Sequence, residues 1–223
     1  MTKKLFFQAF IKFTLGIVII FLLIFIPAGT LTYLNGWIFM GILFIPMLIA
    51  GIVMMIKNPQ LLKSRLDAKE KQKEQNIVIK LSGLMFIIGF ITAGLDFRYS
   101  WFKLPSIITY IAIIIFLLSY LMWAEVLREN TYLTRTIKVT EGQTVIDKGL
   151  YAIIRHPMYT ASIFLFLSMP LVLGSLISFF IFLLYPILII IRIINEEKFL
   201  EKELVGYIDY KKKVKYRLIP FIW

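Results

Sequence analysis

The stretch from Gly149 to Tyr159 reads GLYAIIRHPMY and carries the one histidine of the chain, His156. Beyond an apolar hairpin come Arg192, Glu196 and Glu197. These are the residue types that bind anions, hold cations and move protons. Pro157 suits the first turn of a helix, where a missing N–H costs nothing. The backbone donors of such a helix start would then attract an anionic group. Arg192 and Glu196 are one turn apart and share a helix face. An arginine at the end of an apolar run is costly in lipid unless it faces a cavity or a partner. A plainer reading stays open from these residues alone. Arg155 and Arg192 would snorkel to headgroups, His156 and Tyr159 would join an interfacial belt, and the glutamates would merely end a helix.

Other polar residues say less. Asp96 and Arg98 read as a structural pair, and Glu125, Arg128 and Glu129 as a solvated helix end. The chain has no cysteine, which excludes disulfides, thiolate metal sites and a cysteine nucleophile. A single histidine makes a zinc site unexpected, and no metal is assigned. No GxGxxG and no P-loop occurs, so no Rossmann-type cofactor domain is expected.

These groups have to be positioned inside a very apolar chain. Of its 223 residues, 60% are hydrophobic and 17% charged, and the mean hydropathy is +0.84. Several runs approach the roughly 20 apolar residues that cross a bilayer. Helices satisfy their own backbone there, and the short alternating segments of a membrane barrel are missing. The expectation is an all-α, polytopic transmembrane bundle of about six segments. They are Leu5–Pro27, Trp37–Ile56, Ile77–Leu95, Leu104–Val126, Met158–Leu173 and Leu176–Ile194. The last two form a helical hairpin with a short first arm, joined at Gly174-Ser175. The first segment reads as a retained span rather than a cleaved signal peptide. Residues 1–126 form an N-terminal transmembrane bundle, and residues 127–223 a catalytic region of linker, hairpin and C-terminal helix.

Charge orients the bundle. Of the 25 Lys and Arg, all but Arg98 and Lys103 fall on one side of this arrangement. That side is predicted to be cytoplasmic, with both termini, in a plasma or inner membrane. The net charge of +12 then reflects this bias and attraction to anionic lipid, not nucleic acid. Lys57–Asn76 reads as a polar, helical connector near headgroups. Arg128–Arg155, punctuated by Gly142 and Gly149, reads as an ordered, non-helical or partly helical linker folded over the membrane face. Asn195–Lys213 reads as an amphipathic helix, and Ile219–Trp223 as an apolar, aromatic anchor. The absence of an internal repeat argues against a transporter of duplicated halves.

The order QTVIDKGLYAIIRHPMYTAS, apolar hairpin, RIINEEKFLEKELVGYIDYKKKVKYRLIPFIW resembles the isoprenylcysteine carboxyl methyltransferase family. Those integral-membrane methyltransferases are related to phospholipid N-methyltransferases. The family pattern falls on Gly149, Tyr151, Arg155, His156, Pro157 and Tyr159. It continues through Glu196, Glu197, Tyr207, Tyr210, Val214, Ile219 and Pro220. NPQLLKSR and GLDFRYSW upstream are also similar to bacterial members. Ala161 departs from the glycine that many members carry, a small-for-small change. The resemblance implies S-adenosylmethionine as cofactor, bound by Gln143, Thr144, Val145, Ile146, Tyr151, His156, Pro157, Met158, Tyr159 and Glu196. It implies Arg192 as the arginine that holds a substrate carboxylate, and catalytic roles for Arg192, Glu196 and Glu197. The acceptor would be a lipophilic small molecule or lipidated substrate entering from the membrane lipid. A carboxylate acceptor needs no general base, whereas an amine must lose a proton, making Glu197 or His156 base candidates. Both acceptor classes stay open, as does a non-enzymatic transporter or scaffold; oligomeric state is unknown.

The charge asymmetry makes a direct prediction. A cysteine introduced at Gln72 should be shielded from an impermeant thiol reagent outside the cell, and one at Ser100 should react. The reverse pattern would put the candidate site on the wrong side for a cytosolic cofactor.

Overall fold

The computed structural model describes residues 3–66, 73–134, 136–137 and 139–223. Among them there are helices and no strand, with one isolated parallel bridge between Ile154 and Tyr216. The helices are α1 (Lys3–Ala28), α2 (Leu34–Lys57), α3 (Pro59–Leu66), α4 (Lys73–Tyr99) and α5 (Ser106–Glu129). They continue as α6 (Pro157–Val172), α7 (Leu176–Phe182), α8 (Leu184–Glu203) and α9 (Tyr207–Lys213). A 3-10 turn spans Gly149–Ala152.

Five of these stretches are long and apolar enough to cross a membrane: α1, α2, α4, α5 and the near-continuous α7–α8. α6 has 16 residues, and about 24 Å of helix falls short of a bilayer core of about 30 Å. The six expected segments are thus five spans and one short arm. The surfaces fit lipid as solvent. Only 11% of the most apolar window of α1 is buried, and 22% of that of α5. Ile11, Leu15, Ile114 and Leu121 lie exposed on outer faces, where hydrocarbon would cover them.

Lipid gives apolar helices little hydrophobic reason to associate, so packing and polar contacts carry the bundle. A Cβ added to Gly94 on α4 would come within 2.5 Å of the Ile24 carbonyl oxygen of α1. At Gly89 it would meet the ring of Phe182 at 2.3 Å. Around these approaches a single core runs through Ile24, Phe39, Phe90, Phe116, Phe182 and Ile193. It joins residues on both sides of Val126, so the N-terminal helices and the C-terminal hairpin share one interior. At the lightly charged end, the Tyr33 hydroxyl donates to Leu173 O at 2.5 Å. Asp96, buried there, accepts from the Ser175 hydroxyl at 2.6 Å and from the Phe102 amide at 3.1 Å. The expected Asp96–Arg98 pair is replaced by these contacts, and Arg98 lies over the Tyr99 ring instead. Asp96, near the end of α4, reaches the hairpin turn, where the Ser175 hydroxyl satisfies one oxygen and the Phe102 amide the other.

Two other segments differ from expectation. Asn195–Lys213 is not one helix. α8 runs unbroken from the apolar arm through Arg192 to Glu203 because Pro186 sits in its first turn and no Pro or Gly follows it. The chain turns at Gly206, whose φ of +85° favours glycine, and restarts as α9. In the polar connector, residues 59–66 are helical and α4 begins by Lys73. Residues 67–72 of that expectation lie outside the described residues, as does the position chosen for labelling at Gln72.

Because Gly94 meets backbone and not a pliable side chain, Gly94→Ala should lower the thermal midpoint in detergent, at a cost of about 1–3 kcal/mol. Gly41→Ala, inside α2 with nothing within 4 Å of the new methyl, should not lower it.

Candidate functional site

The linker after α5 is ordered by its own polar groups. The Glu129 carboxylate accepts from the Leu150 amide at 3.0 Å. It also occupies the place where a Cβ on Gly149 would lie, 1.6 Å from Oε1, and Gly149 has φ +58°. Only glycine fits there, which accounts for the first residue of the GLYAIIRHPMY element. Gln143 Oε1 accepts from the Thr140 amide and hydroxyl, closing a turn. Asn130 donates to the Tyr151 hydroxyl at 3.1 Å, and Tyr210 donates to the Tyr151 carbonyl at 2.8 Å. Burial pushes the hydroxyls of Tyr151, Tyr207 and Tyr210 above their ordinary pKa, so all three keep their protons at neutral pH.

The C-terminal segment is stitched to the start of α6. The amides of Arg155 and His156 donate to Tyr216 O and Arg217 O, each at 2.9 Å. The Thr160 hydroxyl donates to Leu218 O at 2.8 Å. Ile219–Trp223 curls back so that Trp223 O accepts from the amides of Arg217 and Leu218. Phe221 and Ile222 stay exposed.

Between linker, α6, α8 and α9 lies an open cleft. Gln143, Thr144, Val145 and Ile146 line it from the linker. Tyr151, His156, Met158 and Tyr159 line it from the 3-10 turn and the start of α6, and Arg192 and Glu196 from α8. Two of the sequence-derived candidates stand apart. Pro157 is fully buried at the first position of α6 and shapes the helix start. Glu197 is buried behind the cleft wall.

Glu196 and Glu197 therefore have different surroundings. Glu196 accepts a short hydrogen bond from the Tyr159 hydroxyl, and Arg192 Nε donates to the same hydroxyl at 2.8 Å. Arg192, Tyr159 and Glu196 form a chain along the cleft. Glu197 instead accepts from Arg155 Nε at 2.7 Å, His156 Nε2 at 3.2 Å and Arg217 Nε at 2.9 Å. The Arg155 fork also donates to Val214 O and Lys215 O. A carboxylate so surrounded is held as an anion and is a poor acceptor of a substrate proton.

Several lining residues had no assigned role in the sequence. Tyr207 and Tyr210 were visible only as a spacing pattern, yet both face the cleft. Asn130, Tyr132, Leu133, Thr134, Thr136 and Ile137 contribute six further side chains of the wall, with no motif to mark them. Arg217, in the tail, completes the shell around Glu197.

The geometry can be set beside known proteins. Residues 105–204 match the family model described as phospholipid methyltransferase, a family of integral-membrane methyltransferases. The match takes in α5, the linker, α6, α7 and α8, and stops before Tyr207. A stretch of 91 residues is 30% identical to the Delta(14)-sterol reductase of Mus musculus, over 40% of this chain. The chain spans 22% of the length of that curated relative.

Removing one member of the buried cluster should be costly, because an ion is left without its main partner. Arg155→Ala should destabilise the protein by about 3 kcal/mol or more, read as a fall in thermal midpoint. Arg155→Lys should recover little, since an ammonium cannot replace the fork.

Proposed function

We propose that this protein transfers a methyl group from S-adenosylmethionine to a lipophilic acceptor, in a cleft on the cytoplasmic side of the membrane. The observation that carries the proposal is the convergence of the cleft-lining segments on one chain of contacts, Arg192–Tyr159–Glu196. The family match points the same way, to a membrane methyltransferase.

The residues fit such a cofactor. When bound, S-adenosylmethionine supplies an electrophilic methyl on a sulfonium. Tyrosine faces stabilise a sulfonium by cation–π attraction, and Tyr151, Tyr159, Tyr207 and Tyr210 all line the cleft. Glu196 suits an ammonium or a hydroxyl. Gln143 keeps its amide N–H groups available while its carbonyl closes the turn. Arg192, half-buried in the same cleft, holds the acceptor. Its planar guanidinium suits a carboxylate, which is already anionic and needs only placement and loss of water. Glu197, engaged by its cations, takes no substrate proton, which removes one base that an amine acceptor would need. The acceptor we favour is therefore a carboxylate on a lipophilic or lipidated molecule.

Two observations support other chemistry in the same cleft. The family description favours the amine of a phospholipid, with His156 or Glu196 as base. The mouse relative is named for a reduction, and on that reading the cleft would hold a hydride donor.

Titration calorimetry of the purified protein separates these readings. S-adenosylhomocysteine should bind, and Glu196→Ala should weaken it about tenfold, or 1.4 kcal/mol. Binding of a reduced nicotinamide nucleotide with none of S-adenosylhomocysteine would favour the reductase reading. For the acceptor, Arg192→Lys and Arg192→Ala should lose most methyl transfer to membrane extracts, with cofactor affinity falling much less than turnover. Near-normal transfer in both variants would remove the carboxylate assignment.

A further inference from the structure

The chain has one histidine, and the structure restricts which of its nitrogens can meet a ligand. His156 Nε2 lies 3.2 Å from Glu197 Oε1, with both side chains buried. The same oxygen accepts from Arg155 Nε, and the other accepts from Arg217 Nε. With two guanidinium donors on it, Glu197 is ionised, and an ionised carboxylate only accepts. Nε2 must therefore carry the proton. Nδ1 has no hydrogen-bond partner among the described residues, and the His156 side chain does not cap the start of α6. It is not one of the buried polar atoms left without a partner, and the residue lines the cleft.

We propose that Glu197 is a positioning residue that fixes His156 in its Nε2–H form and leaves Nδ1 as a hydrogen-bond acceptor toward the cleft. The ligand group it takes is an N–H or O–H, such as the ammonium, ribose hydroxyl or adenine amine of a nucleoside-type cofactor. Here the inference rests on the cofactor reading above, but the tautomer does not. Glu197 performs two tasks with one carboxylate. Oε1 orients the imidazole, and through Arg155 and Arg217 the same group ties the tail to α6. Tyr207 and Tyr210, beyond the stretch matched by the family model, thereby become part of the cleft wall. A carboxylate behind a histidine sets which ring nitrogen is presented at the front.

The single histidine makes the test direct. Imidazole 15N resonances of the protein in nanodiscs, at a pH where the ring is neutral, should show a protonated Nε2 and a bare Nδ1. Adding S-adenosylhomocysteine should shift Nδ1 and leave Nε2 in place. Glutamine at position 197 can donate as well as accept, so Glu197→Gln should give a mixture of tautomers. It should also weaken S-adenosylhomocysteine by about tenfold. Glu196→Gln should weaken binding with the tautomer unchanged, a contrast that a general loss of folding would not give. A protonated Nδ1 in the unsubstituted protein would overturn the inference without any variant. So would Glu197→Gln with wild-type tautomer and wild-type affinity. Failure of S-adenosylhomocysteine to bind the unsubstituted protein would remove the ligand assignment, while the apo spectrum would still decide the role of Glu197.

Discussion

The arrangement depends on one buried carboxylate. Glu197 gathers Arg155, His156 and Arg217 onto two oxygen atoms in a place with little water. Each of these groups would be expensive to bury alone, and together they satisfy one another. The consequence reaches well beyond the pairs. Arg155 and His156 lead into α6, Glu197 belongs to α8, and Arg217 belongs to the tail. One ionic knot thus sets the distance between the two arms of the hairpin at their charged end. It also closes the C-terminal segment over them. The cleft is the space left on the other side of this knot.

The division between Glu196 and Glu197 follows from helix geometry. Neighbours on a helix point about 100° apart, so when one faces the cleft the next faces the interior. Glu196 meets Tyr159 and Arg192 in the cleft, and Glu197 meets the buried cations. In sequence the two are adjacent glutamates to which the resemblance gives catalytic roles, with Glu196 alone placed at the cofactor. Only the partners separate a group that can touch a ligand from one that holds its neighbours in place.

Much of the fold was legible, because lipid imposes simple rules. Long apolar runs, caps such as Pro157 and a one-sided charge distribution locate the spans and the hairpin. The misreadings occur where a local pattern competes with distant partners. Asp96 looked like half of an ion pair because Arg98 is near in sequence, yet Ser175 reaches it from the hairpin turn. Asn195–Lys213 looked like one amphipathic helix because its periodicity survives the turn at Gly206. Residues of the cleft were legible from Gln143 to Glu196 through the family resemblance and the clustering of polar groups. The wall made by Asn130, Tyr132, Leu133, Thr134, Thr136 and Ile137, and the contact of Arg217 with Glu197, were not. Those residues act through backbone path and long-range contact, which carry no signature in spacing.

The central claim is that the linker, the RHPMY turn and the middle of α8 form one binding site for a methyl donor. Ultraviolet cross-linking of tritium-labelled S-adenosylmethionine to the purified protein, followed by peptide mapping, tests it most directly. The label should fall on peptides containing Gln143–Tyr159 or Arg192–Tyr210, and excess S-adenosylhomocysteine should abolish it. Competed label concentrated on α1 or α2, or no competable label anywhere, would contradict the account.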